Sequence, residues 1–263
     1  MAAAAEQLEL DALRDWHAVA QAAGCSPDWR LEPVGHLLCS VCDSEPNILI
    51  NRVFGLRHDT DDGQLADALA LYRDAGVDRF FLHVIPEQLG DDFRAKLTDA
   101  GYQRYRAWMK FQRSGQPIDV PSTDFDLQII NSRNAEDFAR IVSNAFDFEP
   151  TFRPTLAALT DSKIWQLHMS FDGDQPAGTG GLFIANGGAY FDFGATDPTF
   201  RQRGSQTTVL KQRVSSAADH GVDFMTTMTG EAVPGDKQHS YSNILKCGFE
   251  EAYLRENWIP AGS

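Results

Sequence analysis

The segment Gly194-Ala-Thr-Asp-Pro-Thr-Phe-Arg-Gln-Arg-Gly-Ser-Gln-Thr207 sets two arginines within three residues of a glycine, between a strand-like run and a helix-like one. The first turn of a helix leaves about four backbone N–H groups unpaired, and a glycine there lets a ligand reach the main chain. A helix starting at Gln202 to Thr207 would therefore cradle an anion such as a diphosphate. The macrodipole adds about 0.3–1 kcal/mol, and Arg201 and Arg203 supply positive potential. On the preceding strand, Tyr190, Asp192 and Gly194 share a face by the period of two. A carboxylate at 192 can take a proton from an ammonium directly or through water. Glu231, just past Thr-Thr-Met-Thr-Gly230, is a second candidate carboxylate, and Asn144 to Arg153 mixes aromatics with acids in a way that suits a cationic group.

The other chemistry-bearing residues are cysteines, at 25, 39, 42 and 247. Cys39-Ser-Val-Cys42 with His36 has the residue types of a zinc or redox site, and a tetrahedral site would need Cys25 to converge on them. The same stretch, Val34 to Cys42, reads as one apolar strand in which thiols act as small core hydrophobes, and this reading is preferred, with no metal.

These residues need a scaffold, and the composition specifies a globular one. The chain has 263 residues, 43% of them hydrophobic, which is enough for real cores and excludes disordered or collagen-like classes. A net charge of -14 works against binding a phosphate backbone, so nucleic acid is not expected as a partner. The N-terminus lacks a basic leader, and no run of about 18 uncharged apolar residues follows, so a cytoplasmic protein without membrane contact is expected.

An internal repeat organises the chain. Residues 69–84 and 210–229 both run an amphipathic helix into Gly-Val-Asp and a strand, with Gly76 and Gly221 145 positions apart. Residues 93–105 and 242–253 both read as short helix, glycine plus aromatic, then strand, and they lead to Phe111 and Trp258 at equivalent positions. Leu65, Ala68, Leu69 and Tyr72 fall on one helical face and read as core. Between the copies, Arg113 to Asp124 has the polar, proline-bearing composition of a linker. The second copy reads as strand 125–132, helix 135–146, helix 153–159, strands 164–171, 179–185 and 189–196, helix 205–220, strand 222–229, helix 241–246 and strand 250–258. The Asn186-Gly turn signals a hairpin. The expected fold class is α/β with a mixed sheet.

The Gly194–Thr207 segment also resembles the acyl-CoA motif of the GNAT superfamily of N-acyltransferases, Arg/Gln-x-x-Gly-x-Gly/Ala after a strand and a proline turn. Pro198, Arg201 and Gly204 match, while Gln206 stands at the last small-residue position. Asn243 and Gly248-Phe249 extend the resemblance, which covers residues 125–258. It implies two tandem GNAT-like domains, each a central, mostly antiparallel sheet flanked by helices: 1–113 degenerate, 114–124 a linker, and 125–263 catalytic. It further implies acetyl transfer from acetyl-CoA, as co-substrate, to an amine acceptor by direct attack on the thioester. Gly194, Ala195, Thr196, Arg201, Gln202, Arg203, Gly204, Ser205, Gln206, Thr207 and Asn243 are then cofactor-binding residues. Asp192 and Glu231 are candidate bases. The family's frequent acid, a tyrosine four residues before the Gly-Phe pair, is Ile244 here, and Tyr241 is its possible substitute.

In the first copy, Gly55 lies 139 positions before Gly194, which predicts a loop six residues shorter before the next helix. Leu56 to Gly63 carries acids that would repel a diphosphate and would cap the helix instead, at Asp59, Thr60 or Asp61. Partners are a small-molecule or peptide amine, with the protein a monomer or homodimer. A non-catalytic acyl-CoA-binding sensor or interaction protein stands as the alternative.

Overall fold

The computed structural model describes residues 2–85, 87 and 89–262. After α1 (Ala2–Ala22) the chain runs β1 (Arg30–Val34), β2 (Leu37–Val41), β3 (Arg52–Phe54), α2 (Asp62–Asp74), β4 (Phe81–Val84), α3 (Asp91–Asp99) and β5 (Tyr102–Ser114). It continues through β6 (Asp126–Ile129), α4 (Ala135–Phe146) and α5 (Arg153–Ala157). The first series of elements then recurs in the same order: β7 (Trp165–Asp172), β8 (Gln175–Ala185), β9 (Gly188–Thr196), α6 (Ser205–Asp219), β10 (Phe224–Gly230), α7 (His239–Lys246) and β11 (Glu250–Pro260). The repeat is thus a β-β-β-α-β-α-β module used twice.

Packing groups the chain into two compact units, Ser26–Met109 with Tyr253–Ser263, and Met1–Cys25 with Lys110–Ala252. This differs from the division at 113 and 125 in two ways, both with a hydrophobic cause. First, α1 belongs with the C-terminal sequence. Its buried stripe of Leu8, Ala12, Leu13 and Ala20 includes Trp16, whose ring makes edge contacts with Phe148, Phe152 and Phe193 and whose indole N–H donates to the Thr155 carbonyl at 2.8 Å. Second, each unit takes its last strand from the other repeat. β11 pairs antiparallel with β4, setting Trp258 opposite Leu82, whereas β5 lies beside β10 in the other unit.

In the unit containing residues 26–109, the strand order is β1-β2-β3-β4-β11, with only β3 and β4 parallel. Its core gathers Leu37, Cys39, Val53, Leu82 and Trp258 with the α2 face of Leu65, Ala68 and Tyr72, and Leu69 packs at its edge. The single strand expected over Val34 to Cys42 is instead a hairpin. Val34 pairs with Leu37 across a two-residue turn, and Gly35 supplies the positive φ of 59° that the turn requires.

In the other unit the order is β6-β7-β8-β9-β10-β5, antiparallel from β6 to β9 and parallel between β9 and β10. The helix expected over 135–146 forms with those bounds because Phe138, Ala139, Ile141 and Val142 recur on one buried face. Two pairs of neighbours in this unit open the route to its site, β8 with β9 and β9 with β10.

Candidate functional site

β9 pairs with β10 only as far as Phe191 opposite Thr227, yet the two strands continue to Thr196 and Gly230. Their C-terminal ends therefore part. On its other side, the register of β9 with β8 jumps from Asp192–Gly181 to Ala195–Thr179, so residues 193 and 194 face one residue of β8 in a bulge. Phe193 adopts a φ of 52°, a left-handed conformation costly for an aromatic residue and held by its surroundings. Thr179 Oγ1 donates to the Phe193 carbonyl at 2.9 Å, and Arg213 Nη1 donates to the carbonyls of Gly181 and Asp192 at 2.8 and 2.9 Å.

The parted strands, α6, α7 and the end of α4 enclose a cleft of about 110 Å³. Asp192, Gly194, Gln206, Arg213, Met228 and Asn243 line it, with Phe146 at the end of α4, from the stretch 144–153 expected to suit a cationic group. Asp192 and Arg213 are the charged residues of that lining. Tyr190 and Asp192 meet as the strand period requires, the phenol donating to Asp192 Oδ2 at 3.0 Å, while Oδ1 accepts from the Phe193 N–H at 2.7 Å. The carboxylate is thereby fixed at the mouth of the bulge. Behind it, the fully buried Lys110 ammonium lies 2.6 Å from Glu9 of α1 and over the Tyr190 ring.

The helix start has the expected open form. α6 begins after Gly204, whose φ is 89° and which provides no side-chain cap. Gln202, also at positive φ (65°), and Arg201 are exposed. Arg203 reaches Asp172 at 2.6 Å and stacks near Phe125 and Phe200, and its bond to Asp172 raises its pKa. Ser205 is buried against Ser170 at 2.9 Å, and Thr207 is half-buried. Gln206 fills the small-residue position without blocking the main chain, because α7 takes up its side chain. Its Oε1 accepts from Asn243 at 2.8 Å, and its Nε2 donates to Ser240 at 3.1 Å. Gly194 lines the cleft, Ala195 is buried in the β8 pairing, and Thr196 closes β9.

Two expected catalytic residues lie elsewhere. The Tyr241 hydroxyl donates to Glu251, and burial together with that bond pushes its pKa up to about 12. Its ring packs edge-on against Phe111 and does not line the cleft. Glu231 follows Thr229, which lines the cleft, but stands outside the lining itself. Arg213 is the functional candidate that sequence reading missed. It is 3% exposed, and burial pulls its pKa down to about 10 against the attraction of Asp192, so it remains a cation at neutral pH. The sequence held a signal for it: 213 falls on the buried stripe Val209, Leu210, Val214, Ala217, where a charge is out of place.

The corresponding place in the first repeat is closed. The loops between parallel strand and helix are 55–61 and 197–204, so the predicted six-residue shortening does not occur. Gly55 follows β3, whereas Gly194 lies in the bulge within β9, and the two glycines are not equivalent. What differs is the chemistry. Asp61 caps α2 by accepting from the Gln64 N–H at 2.7 Å, and Gln64 turns its own amide onto the Val34 carbonyl and His36. His36 also bonds Thr60, Cys42 donates to Asp28, and burial pushes the Cys39 and Cys42 thiols up to about 12.

The paired modules, the bulge and the parted parallel strands make up a fold that solved structures share. A GCN5-related N-acetyltransferase from Kribbella flavida superimposes with a TM-score of 0.64 at 15% identity, covering 95% of this chain and 96% of that one. One from Sphaerobacter thermophilus gives 0.65 at 14%, covering 92% and 88%. A tandem GNAT protein from the clavulanic acid biosynthesis pathway gives 0.64 at 16%, covering 97% and 93%. No protein-family model and no curated protein matches the sequence. The chain has the tandem GNAT fold.

Proposed function

We propose that the second repeat, residues 125–258, is an acyl-CoA-dependent N-acyltransferase, most simply an acetyltransferase, and that the first repeat is a degenerate copy that binds no cofactor. The observation that carries this reading is the uncapped start of α6 at the head of a cleft whose far end holds one fixed carboxylate. Main-chain N–H groups of residues 205–207 would hold the diphosphate, with Arg201 and Arg203 adding positive potential. Gln206 and Asn243 would face the pantetheine arm. Bound acyl-CoA supplies a thioester carbon for an amine to attack. Asp192, oriented by Tyr190, takes the proton the amine must lose, a contribution of about 10²–10⁴-fold.

Calorimetry with CoA, and mass spectrometry of amines and peptides incubated with acetyl-CoA, test the reading. Saturable binding and an acylated amine are expected, and absence of CoA binding overturns it. Tight binding with no product from any amine would favour the second reading, a non-catalytic acyl-CoA sensor. The engagement of the Tyr241 hydroxyl by Glu251 supports that alternative, since it leaves the cleft without a phenolic acid.

A further inference from the structure

Arg213 presents an electrostatic problem. A guanidinium 3% exposed needs compensation, and the effective cost of burying an ion is several kcal/mol when no partner offsets it. Its Nη1 is shared between two main-chain carbonyls, and its ring-like plane lies over Phe191 at 5.4 Å. Among the described residues, no carboxylate forms an ion pair with it and its buried Nε has no partner. The Asp192 carboxylate, the nearest opposing charge in the lining, is already engaged by Tyr190 and the Phe193 N–H. The other titratable groups facing Arg213 carry no compensating charge. His168 on β7 is held neutral by burial, with a pKa of about 3, and the Cys247 thiol after α7 is raised by burial.

The arrangement directs this cation toward the cleft. A side chain at Gly180 would clash with the guanidinium, so that glycine keeps room for it, and Nη2 comes within ordinary contact of the Cβ position of Gly194, which lines the cleft. The position also suits the donor. Arg213 lies eight residues along α6 from Ser205, roughly 12 Å at ~1.5 Å per residue. Adding the reach of a hydrogen bond gives about the 15 Å that the thirteen bonds of an extended pantetheine arm cover at ~3.5 Å per three bonds.

We propose that Arg213 is a catalytic residue that stabilises the negative charge developing on the donor sulfur, in place of the phenolic acid that Tyr241 does not provide. This rests on the acyltransferase reading above. As the amine nitrogen bonds to the acyl carbon, the carbon–sulfur bond breaks and its electron pair passes to sulfur. The proton goes from nitrogen to Asp192, and Arg213 holds the departing thiolate without transferring a proton of its own. A fixed cation in a site screened from water acts strongly on such charge, because it needs no reorganisation when the charge appears.

The test is an ultraviolet titration of the thiol of CoA, free and bound to the full chain. The bound thiol should titrate about one unit or more below the free one, as expected for an ionisable group within ~4–6 Å of an opposite charge. Arg213→Gln, which keeps an amide donor for the Gly181 and Asp192 carbonyls, should abolish the shift while leaving CoA affinity within about threefold. Arg213→Lys should retain most of it. If Arg213→Gln fails to fold, the wild-type titration decides. A bound thiol with the free value, or an unchanged shift in Arg213→Gln, overturns the assignment to Arg213 alone. Failure of the wild type to bind CoA overturns the acyltransferase reading instead.

Discussion

Two helices, α2 and α6, each follow the first strand of a parallel pair in the same β-β-β-α-β-α-β module, and their first turns have opposite chemistry. At α2 the Asp61 side chain takes up the Gln64 N–H as cap, and Asp59, Asp61 and Asp62 crowd the start. At α6 the cap is a glycine, the flanking charges are arginines, and the open N–H groups head a cleft. The loops differ by a single residue in length. On the proposed reading, the first repeat would lack an anion site without a rebuilt backbone. An aspartate in the capping position occupies a donor that a diphosphate would use, and it adds like charge.

The comparison extends to what each unit depends on. The unit with the open helix start recruits α1 from the far end of the chain, and Trp16 packs against Phe193 in the bulge itself. Trp16→Ala should cost about 3–5 kcal/mol, the largest effect expected here. The loss should fall on residues 110–252, read as lost hydrogen-exchange protection in β8 and β9, with β3 and β4 protected as before. Equal loss in β3 and β4 would mean that α1 does not belong to one unit.

How much of this was legible follows from the range over which each signal acts. The helix at 135–146 and the strands at 189–196 and 250–260 are written in local periodicity, and their sequence boundaries fall within two residues of the observed ones. The open helix start was legible because Gly204 and its arginines are neighbours in the chain. The strand exchange of β5 and β11 was not, because a strand's own pattern is the same whichever sheet it joins. Nor were the partners of Tyr241 and Lys110. Glu251 and Glu9 are ordinary surface-type residues until the fold buries the groups they pair with. Reading Val34 to Cys42 as one strand missed that Gly35-His36 is a turn, because apolar residues continue on both sides of it.

A buried histidine separates the units further. His168 on β7 is buried, and its folded pKa is depressed by that burial and by Arg213 to about 3, from 6.5. Between those values the unfolded chain binds a proton that the native unit does not. Its contribution is constant above about pH 6.5 and turns increasingly unfavourable to folding as the pH falls toward 3, to the order of 4–5 kcal/mol. Acid should therefore unfold residues 110–252 before 26–109 in hydrogen exchange at stepped pH. His168→Leu should flatten the dependence, and an unchanged pH profile in that variant would remove His168 as its source.

The helix starts themselves can be exchanged in charge. Arg203→Glu breaks the contact with Asp172 and places an anion beside the first turn of α6. CoA affinity should fall about 100-fold, equivalent to ~2.7 kcal/mol, measured by calorimetry on protein whose circular dichroism is unchanged. A loss below about threefold would locate the diphosphate away from this loop.

The matching substitution in α2 has the smallest effect and makes the sharper distinction. Asp61→Ala removes the side-chain acceptor of the Gln64 N–H, so stability should drop by about 1 kcal/mol, the usual cost of losing an N-cap. The three acids near that turn become two, and a first-turn donor is freed, so the obstacle to an anion is lowered from both sides. Even so, CoA stoichiometry should stay at one per chain. Gln64 still turns its amide across the turn to Val34 and His36, and a side chain at Gly35 would meet it at 2.1 Å, so the space in front of α2 is filled by the protein. A second CoA bound by Asp61→Ala would show that the cap alone silenced the first repeat. A stoichiometry of one would place the silencing in the packing of the Gln64 side chain, with the acids reinforcing it.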